Sequence, residues 1–211
     1  MNIKFKKYWR KTSLKKRQDG DFLLNHIYSL KPKSFLEIGI FHGVTSRNVC
    51  ELLYLIHGNK FKFTGIDLFE NDKKKLDEEI SPQTKFSNPL KNIYYQYIAK
   101  SDPYSYESVL KLLKKFKNNI DIIKGNSNVV LKNLKTSEFD YVFLDGGHKY
   151  ETVKNDLECL KSVITNNGTI ICDDYNLTYA PGVKTGIEEY TSHNNFNLRI
   201  LNDRFAEITS K

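Results

Sequence analysis

The sequence has few cysteines and no long apolar run. Its three cysteines are far apart and none belongs to a CxxC pair or a zinc-binding spacing, so we expect small buried thiols at Cys50, Cys159 and Cys172. No stretch approaches the roughly 18 apolar residues of a membrane span, and the N-terminus lacks the apolar segment of a signal peptide. These absences predict a soluble protein of the cytoplasm, where thiols stay reduced.

Two common nucleotide-binding motifs are also missing. The chain contains neither the G-x-G-x-x-G turn of nicotinamide and flavin enzymes nor the Gly-Lys-Ser/Thr of a phosphate-binding loop, which disfavours both classes. The 211 residues are enough for one sizeable α/β core, and nothing marks a second domain. We therefore predict a single domain over residues 1–211.

Acidic residues are absent from residues 1–17, which we call the basic arm. The arm carries eight Lys and Arg residues, and taking these from the 33 in the chain leaves 25, equal to the 25 Asp and Glu. The formal charge of +8 therefore lies in the arm, where Phe5, Tyr8 and Trp9 are interleaved with the basic residues. Such an arm is either a solvated terminus or a contact for an anionic surface, whether membrane headgroups, nucleic acid or an acidic partner.

Short apolar runs alternate with segments of helical period, which predicts a doubly wound, Rossmann-like α/β fold with a mostly parallel sheet. A helix over residues 21–30 should end at Lys31-Pro32. The predicted strands are 34–38, 61–66, 120–123, 141–144 and 169–172, and a helix over 153–164 should be closed by Asn166-Asn167-Gly168. Two further strands, 197–201 and 205–208, predict an antiparallel hairpin that completes a seven-stranded sheet.

Residues 68–119 are too numerous for an ordinary crossover between two strands. They include a charged stretch at 72–79, the pairs Ser81-Pro82 and Asn88-Pro89, and a predicted helix over 104–117. Long loops without structure are rare in compact domains, so we interpret this segment as an inserted lid or acceptor-binding element. Its tyrosines suit either stacking on a ring of the acceptor or internal packing: Tyr94, Tyr95, Tyr97, Tyr104 and Tyr106.

Three elements after the first three strands suit a nucleoside-containing ligand. Gly39 and Gly43 lie where the first strand turns into a helix, and a side chain there would collide with a ligand across the strand ends. Asp67 ends the second strand, where it either accepts hydrogen bonds from ribose hydroxyls or simply terminates the strand. Ser127 follows the third strand and can reach an adenine ring, help to cap a helix, or both.

Acidic residues follow the fourth and fifth strands. Because neighbouring parallel strands end side by side, Asp145 should converge with Asp173 and Asp174. Three carboxylates repel one another unless a cation neutralises them, and an all-oxygen ligand set favours a hard ion such as Mg²⁺; the alternative is that they cap the following helices. His148 lies close to Asp145 and is either a general base or a structural histidine.

The motif from Glu37 to Gly43 resembles the first motif of class I S-adenosylmethionine-dependent methyltransferases. The resemblance covers the chain from about Ser34 onward, apart from most of the insertion. It implies that S-adenosylmethionine lies across the strand ends, with Asp67 at its ribose and Ser127 at its adenine. The other cofactor-binding residues it implies are Glu37, Gly39, Ile40, Gly43, Thr45 and Asp145.

Residues 145–156, 173–175 and 181–184 are similar to the macrocin and novobiocin sugar O-methyltransferases and, more distantly, to catechol O-methyltransferase. This implies methylation of a hydroxyl on a sugar, glycan or small metabolite, with Mg²⁺ held by Asp145, Asp173 and Asp174. The chain departs from these families at two positions. Gly147 replaces an acidic residue of the sugar enzymes, and His148 stands where the catechol enzymes have their basic Lys.

Other functions compatible with the cofactor motif are methylation of nucleic acid or protein, which the basic arm suggests, and a non-catalytic cofactor-binding module. The fourth strand lacks the Asn/Asp-Pro-Pro-Tyr with which enzymes that methylate exocyclic amines hold a flipped base. The retained acids and His148 favour catalysis over a binding module. The sequence leaves open a homo-oligomer.

Overall fold

The computed structural model describes residues 3–70 and 86–211, and within them seven strands form one sheet. The strands are β1 (Ser34–Ile38), β2 (Lys62–Asp67), β3 (Ile120–Lys124), β4 (Phe139–Leu144), β5 (Ile164–Cys172), β6 (Phe196–Leu201) and β7 (Phe205–Ser210). Their order is β3-β2-β1-β4-β5-β7-β6. The first five are parallel, and β7 runs antiparallel to both β5 and β6. The predicted Rossmann-like α/β fold with a C-terminal antiparallel hairpin is confirmed.

Helices cover both faces of the sheet. They are α1 (Arg17–Leu30), α2 (Val44–His57), α3 (Pro89–Ile93), α4 (Tyr106–Leu113), α5 (Ser127–Val130), α6 (Tyr150–Val163) and α7 (Pro181–His193). A π-helical turn, Tyr94–Ile98, continues α3, and 3₁₀ turns Lys114–Phe116 and Leu131–Asn133 follow α4 and α5. In the part of the chain that the structure describes, none of the helices has the length and apolar character needed to cross a bilayer.

The alternation of side chains along the strands separates two apolar cores. Phe35 of β1 points to the face covered by α1, α2 and α4, where its ring stacks on Phe63 and Tyr141 with centroids 5.7 and 5.0 Å apart. Its neighbour Leu36 points to the opposite face and packs with α6 and α7. Burial on both faces explains why these strands read as nearly continuous apolar runs.

The boundary between α6 and β5 differs from the prediction. Asn166-Asn167-Gly168 does not close the helix; α6 ends at Val163, and Ile164 begins a strand that includes these three residues. The reason is that the chain entering β4 takes the last helical carbonyls, since the Ser137 and Glu138 amides donate to Ser162 and Val163. Ile164 then pairs with Phe139, and the register shifts before Thr169 pairs with Tyr141.

Other boundaries move by a few residues. The first helix begins at Arg17, earlier than predicted, and ends as expected at Lys31, whose φ is +49° and whose N–H donates to the Ile27 carbonyl. The helix predicted over 104–117 is shorter and consists of α4 followed by a 3₁₀ turn. It starts later than predicted because the Ser105 hydroxyl caps it by accepting from the Ser108 amide. The charged stretch 72–79 and Ser81-Pro82 lie outside the described residues.

The basic arm is packed against the domain from residue 3 onward. Phe5 is 3% exposed and lies over Gly20 of α1, where a Cβ would be 2.3 Å from its ring. Asn48 of α2 brackets Lys6 by accepting from its amide and donating to its carbonyl, at 2.9 and 2.8 Å. Leu14 is fully buried. The interpretation of the arm as a solvated terminus is therefore wrong for these residues, whereas contact with an anionic surface stays a prediction.

Packing of the arm predicts an asymmetry between its aromatic residues. Phe5→Ala should lower the free energy of unfolding by about 3–5 kcal/mol, because it empties a buried site. Trp9→Ala should cost less than about 1 kcal/mol, because Trp9 is 52% exposed. Urea denaturation monitored by circular dichroism measures both values. Equal and small effects would mean that the arm does not pack in solution.

Candidate functional site

The carboxyl ends of the parallel strands gather most of the predicted site residues at one edge of the sheet. The turn after β1 carries Gly39 and Gly43, β2 ends at Asp67, and Asp145 and Asp173 follow β4 and β5 directly. Backbone hydrogen bonds tie these ends together, since Gly39 donates to Ile66, Asp145 to Ile38 and Asp173 to Leu144. The cofactor motif and the acids therefore share one crevice edge, where α/β sheets bind ligands.

The structure brings Asp145, Asp173 and Asp174 together. Each offers one carboxylate oxygen, and these oxygens all lie within 4.8 Å of one another. Asp174 has a φ of +60°, in the left-handed region that Asp adopts more readily than most non-glycine residues. We call these three residues the acidic cluster.

The acidic cluster holds more negative charge than its surroundings favour. Burial, followed by the charges of Asp173 and Asp174, raises the pKa of Asp145 well above its usual range. Burial also raises the pKa of Asp173 to about 6, although hydrogen bonds from Arg204 oppose the shift. An additional cation at this place would relieve the repulsion.

Arg204 supplies a positive charge to the acidic cluster from the turn between β6 and β7. Its Nε and Nη2 donate to the two oxygens of Asp173 at 2.6 and 2.7 Å, and Nη2 also lies 3.0 Å from Asp174 Oδ1. Burial opposes its charge, but hydrogen bonds and the charge of Asp173, with Asp174 and Asp145 behind it, raise the pKa of Arg204. This paired geometry is the strong form of an arginine–carboxylate contact.

His148 lies beside the acidic cluster, as its position in the sequence suggests. Its Nε2 is 3.1 Å from Oδ2 of Asp174, so the carboxylate orients the imidazole ring. Ser13 of the basic arm reaches the cluster from the other side, where its hydroxyl donates to Asp145 Oδ2 at 2.5 Å. The arm therefore contributes a hydroxyl directly to the crevice.

The glycine turn is held tightly against the acidic cluster. Gly39 has a φ of +91°, and a Cβ at this residue would be 1.9 Å from the carbonyl oxygen of Asp145. Gly43 has a φ of +72° and precedes α2. Both glycines are thus required by the backbone. Two further residues of the predicted cofactor-binding set, Ile40 and Thr45, are buried. Ile40 packs over Gly65 in the core, and Thr45 lies in the first turn of α2.

Two buried polar side chains at this turn are poorly satisfied. Among the residues that the structure describes, neither ring nitrogen of His42 has a hydrogen-bond partner and Glu37 has at most a contact with the Ser46 hydroxyl; each residue is 0% exposed. Burial raises the pKa of Glu37 to about 8, and burial with the charges of Arg10 and Lys11 lowers that of His42 to about 3. Both groups are therefore held neutral. Buried polar groups are rarely left unpaired, so these two mark the turn as a candidate ligand site.

Asp67 is already hydrogen-bonded by the protein. It accepts from the amides of Phe41 and Phe69 at 2.8 and 2.7 Å and from the Tyr104 hydroxyl at 3.0 Å. The Ile40 amide also contributes a hydrogen bond, and a carboxylate can accept about four, so a ribose hydroxyl would have to displace a contact such as that of Tyr104. Ser127 begins α5 behind Gly125, whose amide donates to the Asp67 carbonyl; the cap itself is Asn126.

Comparison with known proteins identifies the protein family to which this chain belongs. A family model described as a methyltransferase domain matches residues 36–175, which is more than half of the chain. The chain therefore belongs to the methyltransferase-domain family, and the prediction of a class I S-adenosylmethionine-dependent methyltransferase is confirmed. None of the curated proteins matches the sequence.

Solved structures share the fold at low sequence identity. The S-adenosylhomocysteine-bound methyltransferase PaMTH1 of Podospora anserina is 18% identical with a TM-score of 0.60, and the match covers 93% of this chain and 79% of that one. The O-methyltransferase NovP is 14% identical with a TM-score of 0.65, over 92% and 78%. The calicheamicin methyltransferase CalS11 is 16% identical with a TM-score of 0.62, over 93% and 80%.

Sequence reasoning missed three residues of this edge: Arg204, Ser13 and Tyr104. The sequence pattern predicts a hairpin turn that includes Arg204. It does not reveal that β7, which begins immediately after Arg204, pairs with β5. Ser13 lies in an arm whose packing depends on contacts about 130 residues away in the sequence. Tyr104 was recognised only as one of several tyrosines in the insertion.

The buried carboxyl of Glu37 predicts a pH-dependent cost to stability. The folded state keeps it protonated up to about pH 8, whereas the unfolded chain releases the proton near pH 4.5. Between these values the unfolded state binds fewer protons, so Glu37 lowers stability as pH rises. Glu37→Gln should therefore stabilise the protein by at most about 3 kcal/mol at pH 7, with the gain vanishing toward pH 4.5. Urea denaturation at several pH values measures this, and a gain that does not change with pH contradicts it.

Proposed function

We propose that this methyltransferase transfers the methyl group of S-adenosylmethionine to a hydroxyl oxygen of a sugar, glycan or small metabolite, with Mg²⁺ at the acidic cluster. The observation that carries the proposal is the direct contact between the two parts of the site. The Asp145 carbonyl lies where a side chain on Gly39 would be, so the cluster adjoins the turn that holds the cofactor in this family.

The residues at the glycine turn fit the cofactor. Among the described residues, Glu37 and His42 are buried polar groups with few or no partners, and Asp67 could accept from a ribose hydroxyl if the Tyr104 hydroxyl gave way. The acidic cluster fits a hard divalent cation, because it consists of three carboxylates whose oxygens lie within 4.8 Å of one another. Arg204 neutralises only one of these three charges.

When bound, S-adenosylmethionine supplies a sulfonium methyl group, and the cation polarises the acceptor hydroxyl and lowers its pKa. The protein's own residues then divide the remaining work. Asp145 and Asp174 lie at the end of the crevice where the acceptor would bind. His148 takes the proton of the acceptor hydroxyl, and Asp174 orients the imidazole ring of His148. Attack of the acceptor oxygen on the methyl carbon would break the carbon–sulfur bond, with S-adenosylhomocysteine as the leaving group and the hydroxyl proton held by His148.

An oxygen acceptor is supported by the structures that share the fold. NovP is described as an O-methyltransferase, and CalS11 as a TDP-rhamnose 3'-O-methyltransferase. We extend this chemistry to the present chain because its acidic cluster suits the activation of a hydroxyl. We also place the protein in the cytoplasm, consistent with three free thiols at Cys50, Cys159 and Cys172.

Cofactor binding is tested at Asp67. Asp67→Ala should weaken the binding of S-adenosylmethionine about 10-fold or more, because a hydrogen bond to a charged group contributes about 1.5–3 kcal/mol. Isothermal titration calorimetry measures the affinity, and thermal melting confirms that the variant is folded. Asp121→Ala, at an exposed acid of β3, is the matched control and should bind as the original chain does. Equal affinity in both variants would remove Asp67 from the cofactor site.

The metal is tested by chelation. Methyl transfer to a panel of glycosides and catechols should fall about 100-fold or more with EDTA, because a bound cation contributes several kcal/mol, and it should return with excess Mg²⁺. Asp145→Ala should cause a similar loss, while Asp203→Ala, at an exposed acid of the β6–β7 turn, should not. Activity indifferent to the chelator would discard the metal and leave the methyltransferase.

A further inference from the structure

The turn between β6 and β7 brings Arg204 to the acidic cluster. β7 pairs with β5 in antiparallel register, with Ala206 opposite Cys172, so the residue two positions before Ala206 lies beside the residues that follow Cys172. The amide of Tyr175 donates to the Arg204 carbonyl at 2.9 Å, which fixes the turn against the end of β5. The position of Arg204 is therefore set by the sheet itself.

The guanidinium of Arg204 occupies the cluster more completely than a surface ion pair would. It bonds both oxygens of Asp173, which is 3% exposed, and one oxygen of Asp174. Its Nη1 lies 3.4 Å from Asp19 at the start of α1, and Nη2 donates to the Ser13 carbonyl at 3.4 Å. Only 21% of the Arg204 side chain is exposed.

Two carboxylate oxygens of the acidic cluster have partners other than Arg204. Asp145 Oδ2 accepts from the Ser13 hydroxyl, and Asp174 Oδ2 contacts His148, so Arg204 takes neither of them. Asp173 has both oxygens committed to the guanidinium. A divalent cation that binds Asp173 would therefore share this carboxylate with the guanidinium and be repelled by its charge.

We infer that Arg204 is a built-in counter-cation that competes with a divalent cation for Asp173 and thereby sets the affinity of the acidic cluster for metal. This inference rests on the metal site of the proposed function. An arginine stays protonated throughout the working pH range, so a divalent cation meets a permanent positive charge at Asp173. Arg204 also keeps Asp173 and Asp174 in place while the metal is away, which makes it a positioning residue.

The inference is tested by Mn²⁺ binding to the full chain without cofactor, followed by electron paramagnetic resonance. Arg204→Met removes the competing charge and should bind Mn²⁺ at least about 10-fold more tightly than the original chain, since an uncompensated carboxylate gains most from a new cation. Arg204→Lys keeps a charge but loses the two-pronged contact and should show a smaller gain. Arg199→Met is the matched control, because Arg199 pairs with Glu207 on the same hairpin at 2.7 Å, and it should change nothing.

A thermal melt provides a second readout. Without metal, Arg204→Met should melt at a lower temperature than the original chain, and Mn²⁺ should raise its melting temperature by more than it raises that of the original chain. If Arg204→Met does not fold, Arg204→Lys decides the matter by its Mn²⁺ affinity. Unchanged or weaker Mn²⁺ binding in the folded Arg204 variant overturns the inference.

The same measurement separates this inference from the proposed function. Binding by Arg204→Met but not by the original chain supports the competing arginine and removes the metal from the proposed reaction. Equal binding by both overturns the role of Arg204 and leaves the metal site standing. If neither protein binds Mn²⁺, both the competition and the metal are excluded.

Discussion

The tips of β4 and β5 carry more negative charge than the protein itself neutralises. Adjacent parallel strands must end side by side, so Asp145, Asp173 and Asp174 cannot avoid one another, and Arg204 offers a single positive charge in return. Several features of this edge respond to that repulsion. The Ser13 hydroxyl donates to Asp145, the His148 ring contacts Asp174, and the pKa values of Asp145 and Asp173 are raised.

The glycine turn also contains groups that destabilise the ligand-free protein. In the described part of the chain, Glu37 and His42 are buried with few or no hydrogen-bond partners, which costs free energy in the ligand-free protein. Residues that lower stability are concentrated where proteins bind ligands, and here Glu37 and His42 lie next to the acidic cluster. A bound cofactor would satisfy groups that the fold leaves unpaired. Cofactor turn and acidic cluster are thus two halves of one crevice, joined through the contact of Gly39 with Asp145.

Much of this arrangement could be predicted because it depends on local pattern and on the rule that parallel strands share an edge. The apolar runs that end at Leu144 and Cys172 predict buried parallel strands, and the acids that follow these two strands were expected to converge. The start of β5 was missed because Ile164 continues the helical period of α6 and only its pairing with Phe139 makes it a strand. Arg204 and Ser13 were missed because their partners are distant in sequence and no period or spacing encodes such contacts.

The most direct test of the central claim is a crystal structure of the protein grown with S-adenosylhomocysteine and Mn²⁺, with anomalous scattering used to locate the metal. We predict that the nucleoside lies across the turn from Gly39 to Gly43, with its ribose at Asp67, and that an anomalous peak lies within coordination distance of Asp145 and Asp174. A nucleoside bound elsewhere, or a cofactor complex in which the acidic cluster holds no metal while Mn²⁺ is in excess, would contradict the mechanism.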